Sequence, residues 1–311
     1  MWRQFVPAQA STSAQELDWL FLALIAISVF FIVLVFGPLT YFAVKYRRGS
    51  KANRANPSSG NNLLETGWTI FPTLVGLVLF GWGAALYFKE QNPPADAMEI
   101  QAVGKQWMWK FQHPEGAREI DELHVPLGRA VSLAMTSEDV IHDVFIPAFR
   151  IKQDVVPGKY TYEWFKATKP GVYHLFCAEY CGTRHAEMDG KVVVMEPADY
   201  EKWLEAGPPR LSLAASGEQT YRGLGCSGCH DQQGSVRAPS LIHLFGRRVA
   251  LQSGETVVAD DEYIRDSILL PGKQITAGYE NLMPSFKDRI SEGEIMEIIA
   301  YLKSLSDRQA P

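Results

Sequence analysis

Cysteine is scarce in this chain, with four in 311 residues, too few to stitch together a disulfide-rich fold. A surplus of positive charge is also lacking: 30 Lys and Arg stand against 35 Asp and Glu, for a net charge of −5. That excludes a general nucleic-acid footprint. Neither depletion of apolar residues nor extreme charge occurs, since 47% are hydrophobic and 21% charged, so the chain is neither disordered nor collagen-like. Its length allows about two or three domains. The most informative absence is local. Residues 19–44 and 68–88 hold no charged side chain at all.

A bilayer core about 30 Å thick needs about 20 helical residues, so both runs predict membrane-spanning helices. Pro38 and Pro72 fall near their ends, where a missing backbone N–H does least harm. Trp19, Tyr41, Trp68, Tyr87 and Phe88 stand at the boundaries, as an aromatic belt requires. A secretory signal fits the first run poorly, because the apolar core is too long and the basic residues come after it. Lys45, Arg47, Arg48, Lys51 and Arg54 lie between the runs against Glu65 alone. The positive-inside rule therefore places this loop in the cytoplasm and both ends of the chain outside. The expected organisation is an external segment 1–18, a hairpin over 19–90, and a large external portion. Residues 95–205 of that portion carry twelve basic and eighteen acidic side chains, a balance that solvates well and also suits a basic partner.

An external compartment permits disulfides, and four cysteines could form two bridges. Their spacing argues otherwise. Cys226-Ser-Gly-Cys229-His230 is C-x-x-C-H, the attachment signal of a c-type haem, in which the thiols bind the vinyl groups and the His ligates iron. Cys177 and Cys181 fall in Cys177-Ala-Glu-Tyr-Cys181-Gly-Thr-Arg-His185-Ala-Glu-Met188. Two thiols, an imidazole and a thioether make a soft donor set that selects copper over magnesium, calcium or manganese. Zinc accepts Cys and His, but the Met argues against it. The spacing suits one helix face or a hairpin loop, and Gly182 with Thr183 weakens the helix. A further His is offered by His142, 35 residues before Cys177.

Residues 216–311 resemble a class I cytochrome c. The likeness rests on the haem motif, Ala238-Pro239-Ser240-Leu241, Leu282-Met283-Pro284, and a closing amphipathic run with Ile295, Ile298, Ile299 and Leu302 at helical spacing. It implies an all-α domain, Met283 as the iron ligand opposite His230, and Pro239 packed beside that His. Met296, on the closing helix, is the competing methionine. The Cys177–Met188 motif with His142 resembles the binuclear copper A site of cytochrome c oxidase subunit II. By that resemblance Cys177 and Cys181 bridge both coppers. His142 and Met188 complete one ion, and His185 with the Glu179 backbone carbonyl completes the other. A quinol-oxidising relative lacking copper is disfavoured, because every ligand position is filled.

Residues 96–205 read as short strands, among them 98–103, 130–136, 159–166, 171–177 and 191–196, broken by turns such as Pro157-Gly158 and Pro170-Gly171. The resemblance makes this a cupredoxin-like Greek-key β-sandwich with the copper loop between its last two strands. In Gly104-Lys-Gln-Trp107-Met-Trp109-Lys-Phe111 the aromatics suit core packing. The family instead implies that Trp107 lies above the copper pair and admits electrons, while the role of Trp109 stays open. His113 and His124, expected in polar turns, and His174 and His243 read as structural. A linker over 206–215 begins with two prolines and tethers the haem domain.

Together these features resemble subunit II of a caa-type oxidase, fused to cytochrome c and membrane-anchored. The resemblance implies electron transfer from haem c through copper A to the dioxygen-reducing site of a partner, subunit I, coupled to proton translocation. It also implies a bacterial inner-membrane location, further oxidase subunits, and a donor cytochrome or respiratory complex. Glu65 would mark a proton-path entrance, against the simpler reading of a carboxylate at a helix N-terminus. Glu179 would also allow magnesium at the subunit I interface. The alternatives are a copper A subunit of a nitric oxide or nitrous oxide reductase, a copper-delivery protein, and a membrane-anchored electron shuttle.

Overall fold

The computed structural model describes residues 6–55, 60–207, 210–231 and 238–307. Residues 12–92 form one compact unit; those from 93 onward, joined by the residues before 12, form another. The first unit is two long helices, α1 (Thr12–Lys45) and α2 (Asn62–Glu90), both long and apolar enough to cross a membrane. α1 begins ahead of the charge-free run and takes in Glu16, which pairs with Lys89 of α2 at 2.7 Å. Phe71 packs against Phe30 and Phe31 between them. Apolar side chains such as Val78 and Phe80 nonetheless point outward, 70% and 74% exposed, which suits lipid rather than water. Asn61 caps α2 by accepting the Leu64 N–H.

The second unit starts with a β-sandwich. Its strands are β1 (Met98–Lys105), β2 (Met108–Gln112), β3 (Arg118–Ile120), β4 (Glu122–Pro126), β5 (Ala130–Ser137), β6 (His142–Ile146), β7 (Ile151–Val155), β8 (Thr161–Lys166), β9 (Gly171–Cys177) and β10 (Asp189–Met195). Two five-stranded sheets result, ordered β3-β2-β1-β5-β8 and β4-β10-β9-β6-β7. β1 pairs with β5 and β4 with β10 in parallel, and the other neighbours are antiparallel. Alternating apolar residues meet between the sheets, where Ile100, Trp109, Phe111, Leu133, Phe149, Phe165 and Leu175 are almost fully buried. Residues 7–11, just before α1, also lie on the sandwich. Ala10 donates its N–H to the Ala148 carbonyl, and its own carbonyl accepts from Thr168. α3 (Pro197–Ala206) closes the sandwich, opened by Pro197 in its first turn.

The haem-motif region is built on α4 (Leu213–Gly223), α5 (Ser227–His230), α6 (Asp261–Leu269) and α7 (Glu292–Asp307). A short hairpin, β11 (Arg248–Ala250) with β12 (Thr256–Val258), interrupts the helices. α4 crosses α7 at Gly217, where a Cβ would lie 1.9 Å from the Glu297 carbonyl oxygen. Only glycine lets these two backbones touch. Ser291 starts α7 with a reciprocal cap: its Oγ accepts the Glu294 N–H, and the Glu294 carboxylate accepts the Ser291 N–H.

α7 lies on the outer face of the β1–β5 sheet. Met296 packs with Val103 and Ala134, and Glu297 accepts hydrogen bonds from Gln112 and Arg118. Lys303 pairs with Glu99 of β1 and Asp261 of α6, both at 3.0 Å. This contact explains why all eight residues of β5 are buried although Ser132 and Thr136 break its apolar run. Pro208 and Pro209, expected to stiffen the linker, lie outside the described residues. Leu213, at its end, donates its N–H to the Pro114 carbonyl. The haem domain is seated on the copper domain rather than held by the tether alone.

Candidate metal centres

Four segments of the sandwich converge on one site. His142 opens β6 and Cys177 ends β9, and these strands are antiparallel neighbours. The intervening loop carries Cys181 and a single helical turn, His185–Glu187, and Met188 then leads into β10. The Cys177 N–H donates to the Met188 carbonyl and the Ala178 N–H to the Asp143 carbonyl, fixing both ends of the loop. A loop between strands, not a helix face, thus brings the donors together.

The two sulfurs stand 3.8 Å apart, far beyond the roughly 2.05 Å of a disulfide. His142 Nδ1 is 3.9 Å from Cys177 Sγ, and His185 Nδ1 is 3.5 Å from Cys181 Sγ. Met188 Sδ lies 3.7 Å from Cys181 Sγ, and the Glu179 carbonyl oxygen 3.3 Å from Cys177 Sγ. Donors about 2.0–2.3 Å from one tetrahedral ion sit roughly 3.3–3.8 Å apart, so the spacing fits metal coordination. Cys177, Cys181, His142 and Met188 are buried. Burial pushes the Cys177 thiol up, but the hydrogen bonds it shares with His142 and with the backbone outweigh it and bring the group down to about 7. Burial and the neighbouring Cys177 charge push Cys181 up to about 12. A bound cation favours the ionised form of both sulfurs, because a coordinating thiol gives up its proton.

Trp107 is half-buried in the turn before β2. Its ring lies against Gly182, where a Cβ would be 3.3 Å from Trp107 Cζ2, and the Arg184 guanidinium stands 5.8 Å from the ring centre. Trp109, left open by the sequence, is fully buried and meets the His142 ring edge-on at 5.9 Å. Two further residues, which carry no motif in the sequence, join the site. Asp139 accepts a hydrogen bond from His142 Nε2 at 2.8 Å, and the Gln106 side chain donates to the Cys181 carbonyl at 2.7 Å. A carboxylate three residues before a ligand His was the available signal.

In the haem region, α5 carries the motif, with the His230 N–H donating to the Cys226 carbonyl. His230 Nδ1 donates to the Pro239 carbonyl at 2.8 Å, which leaves Nε2 free to bind iron. A cavity beside them is lined by Cys226, Cys229, His230, Pro239 and Met283, with apolar walls from Ile298 and Leu302 of α7. Gln274 also lines it, and its side-chain carbonyl is buried with no hydrogen-bond partner among the described residues. Thiols, imidazole, thioether and apolar walls fit a covalently held haem. Met296 faces the sandwich instead.

His124 lies in β4 rather than in a turn, and His113 opens the Pro114-Glu115 turn after β2 but keeps its ring out of solvent. β2, β3 and β4 bring them together around Glu119, and His113 is fully buried. His113 bonds Tyr200 at 2.9 Å and Glu119 at 2.7 Å, while His124 bonds Glu119 and stacks on Trp203. Burial pushes the Glu119 carboxyl up, but both imidazoles and the His124 N–H outweigh it and hold the group at about 2. His174 stacks on Phe176, and His243 takes a left-handed turn conformation. Glu65 is exposed in the first turn of α2, and its carboxylate accepts the Asn61 N–H at 3.3 Å. The Glu179 side chain, in the copper loop itself, is exposed.

A two-helix anchor, a copper-type sandwich and a haem-c domain define a membrane-bound electron-transfer protein. Family models agree segment by segment. Residues 1–82 match the transmembrane domain of cytochrome c oxidase subunit II, 117–196 its periplasmic domain, and 212–302 subunit III of cbb3-type cytochrome c oxidase. Cytochrome c oxidase subunit 2 of Alkalihalophilus pseudofirmus is 30% identical over 298 residues, covering 91% of this chain and 82% of the relative. The alternative subunit 2 of Bradyrhizobium diazoefficiens is 32% identical over 209 residues, covering 57% and 74%. The crystal structure of the periplasmic domain of subunit II of cytochrome oxidase from Bradyrhizobium japonicum is 31% identical, covering 37% of this chain and 95% of that one, with a TM-score of 0.36. The chain belongs to the cytochrome c oxidase subunit 2 family, in the caa-type form fused to a cytochrome c domain. It is an electron-transfer subunit of a terminal oxidase, uses copper and haem c, and partners subunit I.

Proposed function

We propose that Cys177 and Cys181 bridge two copper ions, completed by His142 and Met188 on one ion and by His185 and the Glu179 carbonyl on the other. We further propose that haem is attached through Cys226 and Cys229 and ligated by His230 and Met283. The observation that carries the copper reading is the gathering of four donors around two buried sulfurs 3.8 Å apart. When bound, these groups supply reversible one-electron exchange. The chain's own contribution is to hold the donors still. Strand ends fix His142 and Cys177, and Pro239 orients the His230 ring. Trp107, against the copper loop, admits the electrons that pass from haem c to copper. The donor is a cytochrome or respiratory complex, and the head faces the outer side of a bacterial inner membrane. Further oxidase subunits complete the assembly. Glu179 also contributes to a magnesium site at the subunit I interface.

Metal and haem analysis of the intact membrane complex tests this reading. Two coppers per covalent haem in this chain are expected, and a single copper or a zinc would overturn it. Glu65 is proposed as a proton-path entrance, an ionisable group at the membrane edge. Its cap on α2 predicts only weaker assembly for Glu65→Ala, whereas the proton role predicts slower turnover per intact complex. Full turnover in assembled enzyme leaves only the cap.

A further inference from the structure

Asp139 makes more bonds than a turn cap requires. One carboxylate oxygen accepts from the Val140 N–H at 2.7 Å and from His142 Nε2 at 2.8 Å, with Ser137 Oγ at 3.4 Å. The other oxygen accepts from the Gln106 N–H at 2.8 Å. Gln106 immediately precedes Trp107, and its side chain reaches the Cys181 carbonyl. The His142 ring is also confined on its remaining sides. Trp109 meets it edge-on, and at Gly104 a Cβ would lie 2.9 Å from His142 Cδ2, so any larger residue would displace the ring. Nδ1 is left pointing at Cys177.

We propose that Asp139 is a positioning residue for the copper site. It holds the outer nitrogen of ligand His142 as a donor, keeps the inner nitrogen available to copper, and ties the Trp107 turn to the same carboxylate. The proposal rests on the copper reading above. The physical ground is that a carboxylate bound to the far N–H of a ligand His fixes its tautomer and ring angle and raises its basicity. Asparagine cannot replace it. Its amide has one acceptor oxygen and one donor nitrogen, so an N–H must face either His142 Nε2–H or the Gln106 N–H.

The test uses the copper-loaded full chain in its complex, comparing wild type, Asp139→Asn, Ser137→Ala and Glu138→Gln. Copper affinity is measured by competition titration, and copper hyperfine splitting and midpoint potential at equal occupancy. Asp139→Asn should weaken copper binding about 10–100-fold, change the hyperfine pattern and raise the potential. Ser137→Ala loosens the same carboxylate without removing it, and should move all three in the same direction by less. Glu138→Gln removes the neighbouring negative charge, which pairs with Lys105 and Lys110 instead, and should keep all three native. Native affinity, spectrum and potential in Asp139→Asn would overturn the proposal, as would equal changes in Glu138→Gln. Should Asp139→Asn not fold, the wild-type His142 Nε2 proton gives the answer: slow exchange with solvent is expected, and free exchange overturns it. A wild-type chain that binds no copper defeats the copper reading itself, an outcome distinct from all of these.

Discussion

The copper loop and the haem cavity sit in one chain but are built on opposite plans. In the first, strand ends and the loop between them hold the donors against one another, with sulfurs and nitrogens within 3.5–3.9 Å. In the second, Met283 and the C-x-x-C-H residues are spread around a large cavity with apolar walls. A sandwich with a rigid hydrogen-bonded scaffold can preform a small inorganic site. A few helices around a large flat cofactor cannot, because the cofactor is itself part of the core. Covalent attachment then replaces scaffold rigidity as the means of retention.

Substitutions should separate these plans. Cys181→Ser is expected to have the largest effect. A hard hydroxyl cannot replace a bridging thiolate, so the mixed-valence copper signal should vanish while covalent haem persists; a normal two-copper spectrum would refute the assignment. Met283→Ala should keep the haem, because Cys226 and Cys229 are untouched, but open one coordination position. Its potential should fall and carbon monoxide should bind, and an unaltered spectrum that excludes carbon monoxide would point to another ligand.

The rigid plan also predicts an acid limit for the sandwich. Glu119 is held at about 2 against an ordinary 4.5, so its folded-state value is depressed. Its contribution is present above the unfolded value, is lost as pH falls from about 4.5 to about 2, and amounts to about 3 kcal/mol. Denaturant titrations of wild type and Glu119→Gln should therefore differ most near neutrality and converge in acid. A constant difference across that range would count against the mechanism. The smallest effect concerns the seam between the two plans. Arg118→Ala removes a charge-assisted bond to buried Glu297, and should loosen α7 by about 1.5–3 kcal/mol. Hydrogen exchange along β1 and α7 reports it, and unchanged protection of both would show that the seam does not depend on this bond.

How much of this was legible in the sequence depended on separation along the chain. The ligands Cys177 to Met188 and Cys226 to His230 were visible because their chemistry is local and their spacing is the signal. His142 needed a resemblance, since nothing in an isolated His reports that β6 pairs with β9. The His113–Glu119–His124 cluster was not visible, because it forms only when β2, β3 and β4 fold back on one another. Strands β2, β3, β4, β6 and β7 were not picked out by range, for a related reason. They are three to five residues long, too short for alternation to stand out. The seating of α7 on β1 joins residues such as Glu99 and Lys303, 204 positions apart, and no periodicity carries that. Asp139 is the instructive case: it was close in sequence, but its role depends on the path of the turn.

α7 is a party wall. Ile298 and Leu302 line the haem cavity on one side, while Met296, Glu297 and Lys303 are pressed to the sandwich on the other. The two domains are consequently no longer separable modules. Cutting the chain ahead of α4 would bare Val103, Ala134 and the β5 face, together with partnerless Glu99 and Arg118. The excised copper head would carry a sticky patch that a subunit II without a cytochrome never had to hide, and should self-associate more readily than the intact chain. Fusion has turned an exterior into an interior.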